Sequence, residues 1–487
     1  MKKITKVTIT IFLGLIIISS ISSCRKDALY NGNDEILNFN MSSNATMINA
    51  DTLTFDTVFT TLGTITRYFR VNNSSKNTVS LAIDLKNSGG LNSFRINVDG
   101  ISGRHFKDVI IPPQDYIYIF VEATLGENNA SNPLIIEDVI EYSYNDVVQK
   151  SYLQAWGQDA YFHYDTIYRN SAVVWQTDKP HVIVGGSRFP GLGVDSFSTL
   201  TIPPSCKIYV SQGAGLFVDG ELYIGQAGSQ DSVSFQTHRI ESLQNGIDFI
   251  DNPGLWQGIT IFSGAKAEIY NTTINNAIWG IKGRHESSEM SVLANNSGRP
   301  NILLDKVKIK NSALNDALFI NCKTNATNCL FYSAGSNTVA IALGGDIQFD
   351  DCTIYSSGVS GSDSKESLIL SNFLQISNIG GLNNLGKADF TNCIFYGSNE
   401  EQLILSKEEQ YDFNYSFTNC LIKSTLESEG GFTNCIFNED PRFENTSNEN
   451  FHLKENSPCI NSGIDNGIFE DFYFNTRTNF DIGAIAY

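Results

Sequence analysis

The chain has 487 residues, room for two or three domains, with 33 basic against 52 acidic side chains and a formal charge of −19. That balance excludes nucleic acid as a partner, because an acidic chain gains nothing by displacing counterions from phosphate. An acidic coat fits solubility and leaves Ca2+ held by a few carboxylates open; nothing in the sequence requires a cofactor.

The first segment carries Lys2, Lys3 and Lys6, a mostly apolar run from Val7 to Ile18, and then Ile21-Ser22-Ser23-Cys24. This order reads as a signal peptide over 1–23 ending in a lipobox, since the run falls short of the roughly 20 residues that span a bilayer. It resembles the leaders of bacterial lipoproteins, which implies that Cys24 carries lipid and that outer-membrane lipid is a partner. Cleavage removes three positive charges from −19 and leaves −22. Residues 24–40 read as a flexible tether. Within it, the polar stretch Asn31 to Glu35 reads as flexible, and the charged Arg25-Lys26-Asp27 just after Cys24 resembles the surface-export signals of some Gram-negative lipoproteins, so surface and periplasm-facing locations both stay open.

Residues 41–160 hold short alternating runs, among them Thr66-Arg-Tyr-Phe-Arg-Val71, Val79-Ser-Leu-Ala-Ile-Asp-Leu85 and Tyr116-Ile-Tyr-Ile-Phe-Val121, separated by Asn, Ser and Gly clusters. Such runs predict an antiparallel β-sandwich, which resembles the immunoglobulin-like domains of bacterial surface proteins. Residues 161–199, with Trp175, Pro180 and Gly185-Gly186, read as a connector or cap.

Beyond residue 200 the sequence repeats. Phe390-Thr-Asn392-Cys393-Ile-Phe395, Phe417-Thr-Asn419-Cys420-Leu-Ile422 and Phe432-Thr-Asn434-Cys435-Ile-Phe437 share one frame, and Asn271, Lys306, Asn328 and Asp351 hold the Asn position in looser copies. The steps from 271 to 434 are 35, 22, 23, 41, 27 and 15 residues, around a unit of about 22, the mark of a solenoid. Each copy is two period-2 strands joined at a tight corner, where Asn tolerates the left-handed conformation. Stacked corners are expected to form an Asn ladder. One coil cannot bury its own apolar side, so coils must stack as parallel strands about 4.8 Å apart.

With Gly215-Leu-Phe-Val-Asp-Gly220, Trp256-Gln-Gly258-Ile259 and the tail motifs Ser457-Pro458 and Asp481-Ile-Gly483-Ala484, the repeats resemble the pectate-lyase-like right-handed parallel β-helix proteins. The resemblance implies a β-helix over 200–445 and a closing segment over 446–487. The fold class expected is therefore all-β: a sandwich followed by a right-handed parallel β-helix.

Of nine cysteines, Cys329, Cys352, Cys393, Cys420 and Cys435 fall at one inward position of the repeat, which predicts a buried thiol column, with bridges between stacked cysteines left open.

Chemistry is expected on loops. The 35-residue step holds Lys282, Arg284, His285, Glu286 and Glu289; the 41-residue step holds Asp363, Lys365 and Glu366. Lys282, Arg284 and His285 are the basic candidates, and Asp346, Asp350 and Asp351 the acidic ones, for a lyase or a carboxylate-driven hydrolase. The resembled lyases carry an Arg-x-Pro-x-x-Arg element; Arg188-Phe-Pro190-Gly-Leu-Gly193 lacks the second Arg, so no catalytic residue is transferred. Trp256 and Trp279 are sugar-platform candidates set in apolar strand contexts. The leading expectation is a lipid-anchored, non-catalytic envelope protein that binds a glycan or an envelope protein. The alternative is a polysaccharide lyase or glycoside hydrolase.

Overall fold

The computed structural model describes residues 36–39, 52–59, 63, 66–86, 93–126, 134–144, 147–239, 249–284, 298–359, 365–376 and 379–487. Among them the fold is all-β, relieved only by three short 3-10 turns. No helix among the described residues is long and apolar enough to cross a membrane. Cys24 and the leader lie outside the described residues.

The N-terminal part forms two five-stranded sheets that share one apolar core, including Phe55, Phe69, Val71, Ile83, Ile119, Tyr142 and Leu153. The alternating runs produce this, since one side of each strand is buried and the other wet: Asp115–Ala123 buries Ile117, Ile119, Val121 and Ala123. The pairing is not wholly antiparallel. Ile36–Phe39 runs parallel to Arg67–Asn73, and Thr52–Phe59 parallel to Val147–Gln158.

The remainder is a parallel, β-helix-like solenoid with one continuous interior. An eleven-stranded sheet forms face A. A seventeen-stranded sheet forms faces B and C, because single strands run through both: Ala317–Thr327 pairs with Ile281–Arg284 by its first half and with Asn301–Asp305 by its second. A coil therefore runs along face C, turns at the Asn position, follows face A, and returns through face B.

The turn from C to A explains the repeat. Asn271, Lys306, Asn328, Asp351, Asn392, Asn419 and Asn434 all have φ between 39° and 54°, the left-handed region that costs most residues roughly 1–2 kcal/mol and Asn less. Each corner N–H, from Asn271 to Asn419, donates to the carbonyl that precedes the next corner, as from Asn328 to Asp350 and from Asn392 to Thr418. Inside, Phe390 and Phe417 stack at 4.7 Å, and Phe417 and Phe432 at 5.1 Å. The cysteines among the described residues are free thiols, with Cys329, Cys352, Cys393 and Cys420 fully buried; Cys329 N–H donates to Cys352 Sγ and Cys393 N–H to Cys420 Sγ, each at 3.4 Å. Trp256 belongs to the core, its ring against Phe235 and its Nε1 donating to the Asn275 carbonyl at 2.8 Å. Gly258 permits this packing: at φ +98° a side chain there would meet the Trp279 carbonyl.

Stacking starts at Tyr161–Tyr164, which pairs with His181–Val184, so the stretch read as a connector consists of coils. Their C-to-A turns span several residues, including Pro203-Pro204-Ser205, and lack the one-residue Asn mark that reveals later corners.

The first coil ends in a polar plug. His181 Nε2 lies 2.8 Å from the Gln176 carbonyl and must donate to it. His181 Nδ1 therefore accepts from His163 Nε2 at 2.9 Å, His163 Nδ1 accepts the Tyr168 hydroxyl at 3.3 Å, and the Tyr168 oxygen accepts Trp175 Nε1–H at 3.1 Å. The Trp175 ring stacks on both imidazoles. Burial holds His163 down at about 3 and lowers His181, which keeps both neutral as the bonding requires.

Candidate functional site

The expected Asn ladder is replaced by a strap. Corner side chains point outward and bind the C-terminal segment: Asn328 Nδ2 donates to the Glu470 carbonyl at 3.0 Å, Asn392 Nδ2 to Ile464 at 2.9 Å and Asn419 Nδ2 to Ser462 at 2.8 Å. One bond joins neighbouring corners, from Asn392 Nδ2 to Asp351 Oδ1 at 3.2 Å. Asp351 also accepts from Asn466 at 2.7 Å and lies 3.7 Å from the buried Arg477, which donates to Asn328 Oδ1 and the Gly483 carbonyl. Burial outweighs that guanidinium and raises Asp351 to about 6. A second apolar cluster, with Phe443, Phe451, Leu453 and Ile482, seats the strap on the outside of face A.

Where the strap crosses face C it walls a groove of about 610 Å3. The floor is the outer side of face C. One column, in register across four coils, runs Tyr270, Asp305, Thr327, Asp350; the next holds Leu303, Asn325 and Gln348. Ile468, Phe469 and Glu470 form the wall, and Phe469 is 62% exposed at the rim.

Three features set its chemistry. Asp305 and Asp350 flank Thr327, so their backbones are about 9.6 Å apart, two strand spacings. Both carboxyls are raised by burial; Lys306 partly opposes this at Asp305, and the Gln348 Nε2 bond of 2.8 Å at Asp350. Lys306, at a corner where Asn is usual, reaches outward to Glu470 at 3.7 Å and Asp305 at 4.0 Å. The arrangement offers hydroxyl, amide and carboxyl groups beside an open ring, the set that binds a sugar's hydroxyls and apolar face.

No family model matches the chain, and no curated protein matches it. Among solved structures it is similar to a family 123 glycoside hydrolase from Clostridium perfringens, described for glycolipid glycan hydrolysis, at 11% identity and a TM-score of 0.18 over 26% of each chain. It is also similar to Dex49A from Penicillium minioluteum, at 8% identity and a TM-score of 0.23 over 67% of each chain. The chain thus spans about a quarter of the first structure, and neither likeness carries an argument about activity.

The sequence candidates do not converge. Asp350 lines the groove, and Asp346 lies four residues back on the same outer side of face C, opposite Lys323 and Lys387 in register. Asp351, read with Asp350 as one corner pair, faces the strap instead. Lys282 and Arg284 stand on face B, where the Lys282 ammonium sits 4.1 Å from the half-buried Trp279 ring. His285, Glu286, Glu289 and Asp363 lie outside the described residues. The first long step inserts chain between faces B and C; the second does so there, as the hairpin Phe373–Ile376 with Ile379–Leu382, and also between faces A and B, where Lys365 and Glu366 lie.

Asp305, Lys306 as a groove residue, Thr327, Gln348 and the strap residues escaped sequence reading. A signal existed at one column: the residue before the corner is Thr at 327, 391, 418 and 433 but Tyr270, Asp305 and Asp350 at the others.

Proposed function

We propose that this chain is a lipid-anchored envelope protein that binds glycan in the face C groove. In this reading Cys24 holds the outer membrane, residues 24–40 form the tether, an immunoglobulin-like sandwich is the spacer, and the solenoid is a right-handed parallel β-helix. The observation that carries it is the groove itself, with hydroxyl, amide and carboxyl groups on a rigid floor and an exposed Phe469 at its rim. Thr327→Trp would fill the floor between Asp305 and Asp350. It is expected to abolish retention on a glycan that the wild type binds while shifting Tm by no more than about 2 °C, the range for a surface change. Retention unchanged in that variant refutes the groove. Cys24→Ser is expected to eliminate labelling by an alkyne fatty acid in cells, which checks the anchor.

One observation favours a second reading, a glycoside hydrolase. Carboxyls of inverting hydrolases stand about 6.5–9.5 Å apart, with one held protonated. The backbone spacing of Asp305 and Asp350 is compatible with this, and burial favours their protonated forms. Release of reducing ends by the wild type and its loss in Asp350→Asn would establish it.

A further inference from the structure

We infer that the groove takes an uncharged glycan chain and rejects polyuronates. This rests on the glycan-binding reading and specifies the class of chain.

Charge in and around the groove sets this preference. One ammonium group, Lys306, lines the groove, and Lys266, Lys323 and Lys387 share the next outer register column of face C. Lys306 is shared between Asp305 and Glu470 and lies 4.9 Å from the Phe474 ring. Lys387 is 3.4 Å from Asp389 and donates to Gln348 Oε1 at 3.1 Å. Lys266 is 2.7 Å from Glu268 and donates to the Tyr223 hydroxyl at 3.3 Å. Lys323, exposed, lies in that column between Lys266 and Lys387, opposite Asp346 in register and, like them, beyond the groove lining. Against the one lining ammonium stand the lining carboxyls of Asp305, Asp350 and Glu470.

A polyuronate brings one carboxylate per sugar. Inside the groove each would lose water beside half-buried carboxyls and meet no lining cation except Lys306, already engaged by Asp305 and Glu470, the arrangement that costs most when charge is buried. A divalent ion could bridge such groups only where several ligands converge, and among the described residues no three His, Cys, Asp or Glu side chains do so. An uncharged chain avoids the conflict. Its hydroxyls can donate to Asp350 and Asn325 and accept from Gln348 and Thr327, and one sugar face can rest on Phe469.

The test measures affinity of the detergent-solubilised full chain for barley β-glucan, galactomannan, dextran, polygalacturonate, alginate and chitosan at about 0.15 M salt, where the screening length is about 8 Å. The expected result is retention on at least one of the three neutral polymers, at least ten-fold tighter than on either polyuronate. Glu470→Lys, which reverses an exposed charge and releases Lys306, should narrow that ratio at least ten-fold; Glu470→Gln should narrow it less. Wild-type preference for polygalacturonate or alginate overturns this inference and leaves the glycan reading intact. Preference for chitosan overturns it as well, by showing an ionised cation site. Retention on no polymer overturns the reading and the inference together.

Discussion

Asp350 and Asp351 are adjacent in the chain, and burial raises both, yet they belong to different columns. Asp351 belongs to a column that repeats, with left-handed corners whose side chains serve the strap. Asp350 belongs to a column that changes from coil to coil and opens onto the groove. Repetition in this molecule marks scaffold, because every coil must solve the same turn; the place where repetition fails on this outer face is the floor of the groove.

Breaking the corner column should cost most. Arg477→Met removes the cation buried between Asn328, Asp351 and the Gly483 carbonyl, and is expected to lower the unfolding free energy in urea by about 3 kcal/mol, the lower end for a buried pair because Asp351 can take up a proton. Asn392→Ala should lose about 2 kcal/mol through its left-handed φ of 52° and its bonds to Ile464. Asn392→Gly should recover about 1 kcal/mol of that, since glycine carries no penalty at positive φ. Equal losses in the two variants would mean that backbone conformation is not what Asn supplies.

Acid should separate the plug from both columns. The His163 pKa is lowered to about 3 in the folded protein, so the unfolded chain binds more protons between about 6.5 and 3. Its contribution is full above pH 6.5 and is lost as pH falls, by at most about 1.4 kcal/mol per pH unit. Asp351 has the opposite sign: raised to about 6, its contribution is present below about 3.8 and lost as pH rises through 6. Urea midpoints across pH 3 to 7 in His163→Phe and Asp351→Asn should therefore change slope in opposite directions. The groove column should matter least for stability. Asp350→Asn is expected to change unfolding free energy by no more than about 0.5 kcal/mol while weakening glycan retention about ten-fold. A large stability loss there would place Asp350 with the scaffold.

The corner register was legible because one backbone conformation imposes one residue, and the Phe and Cys positions follow from it by period 2. The first coils were not, since turns of several residues leave no single mark. The groove was half legible. Asp350 could be named from composition, but its wall comes from Ile468, Phe469 and Glu470, more than a hundred residues along the chain, and no spacing rule reaches that far. Asp305 was hidden by its neighbour: Lys306 reads as a defective corner until its reach to Glu470 is known.

The strap also bears on the order in which the molecule can be completed. Neighbouring coils join residues about one repeat apart, whereas the bonds from Asn328 to Glu470 and from Arg477 to Asn328 span 142 and 149 residues. Coils can thus be laid down one after another as chain emerges, and the seam along them closes only after Arg477 arrives. A chain interrupted before that point would keep its stacked interior yet expose a row of amides and the bare outside of face A. Completion of synthesis is then written on the surface, in a form that a protease or chaperone could read.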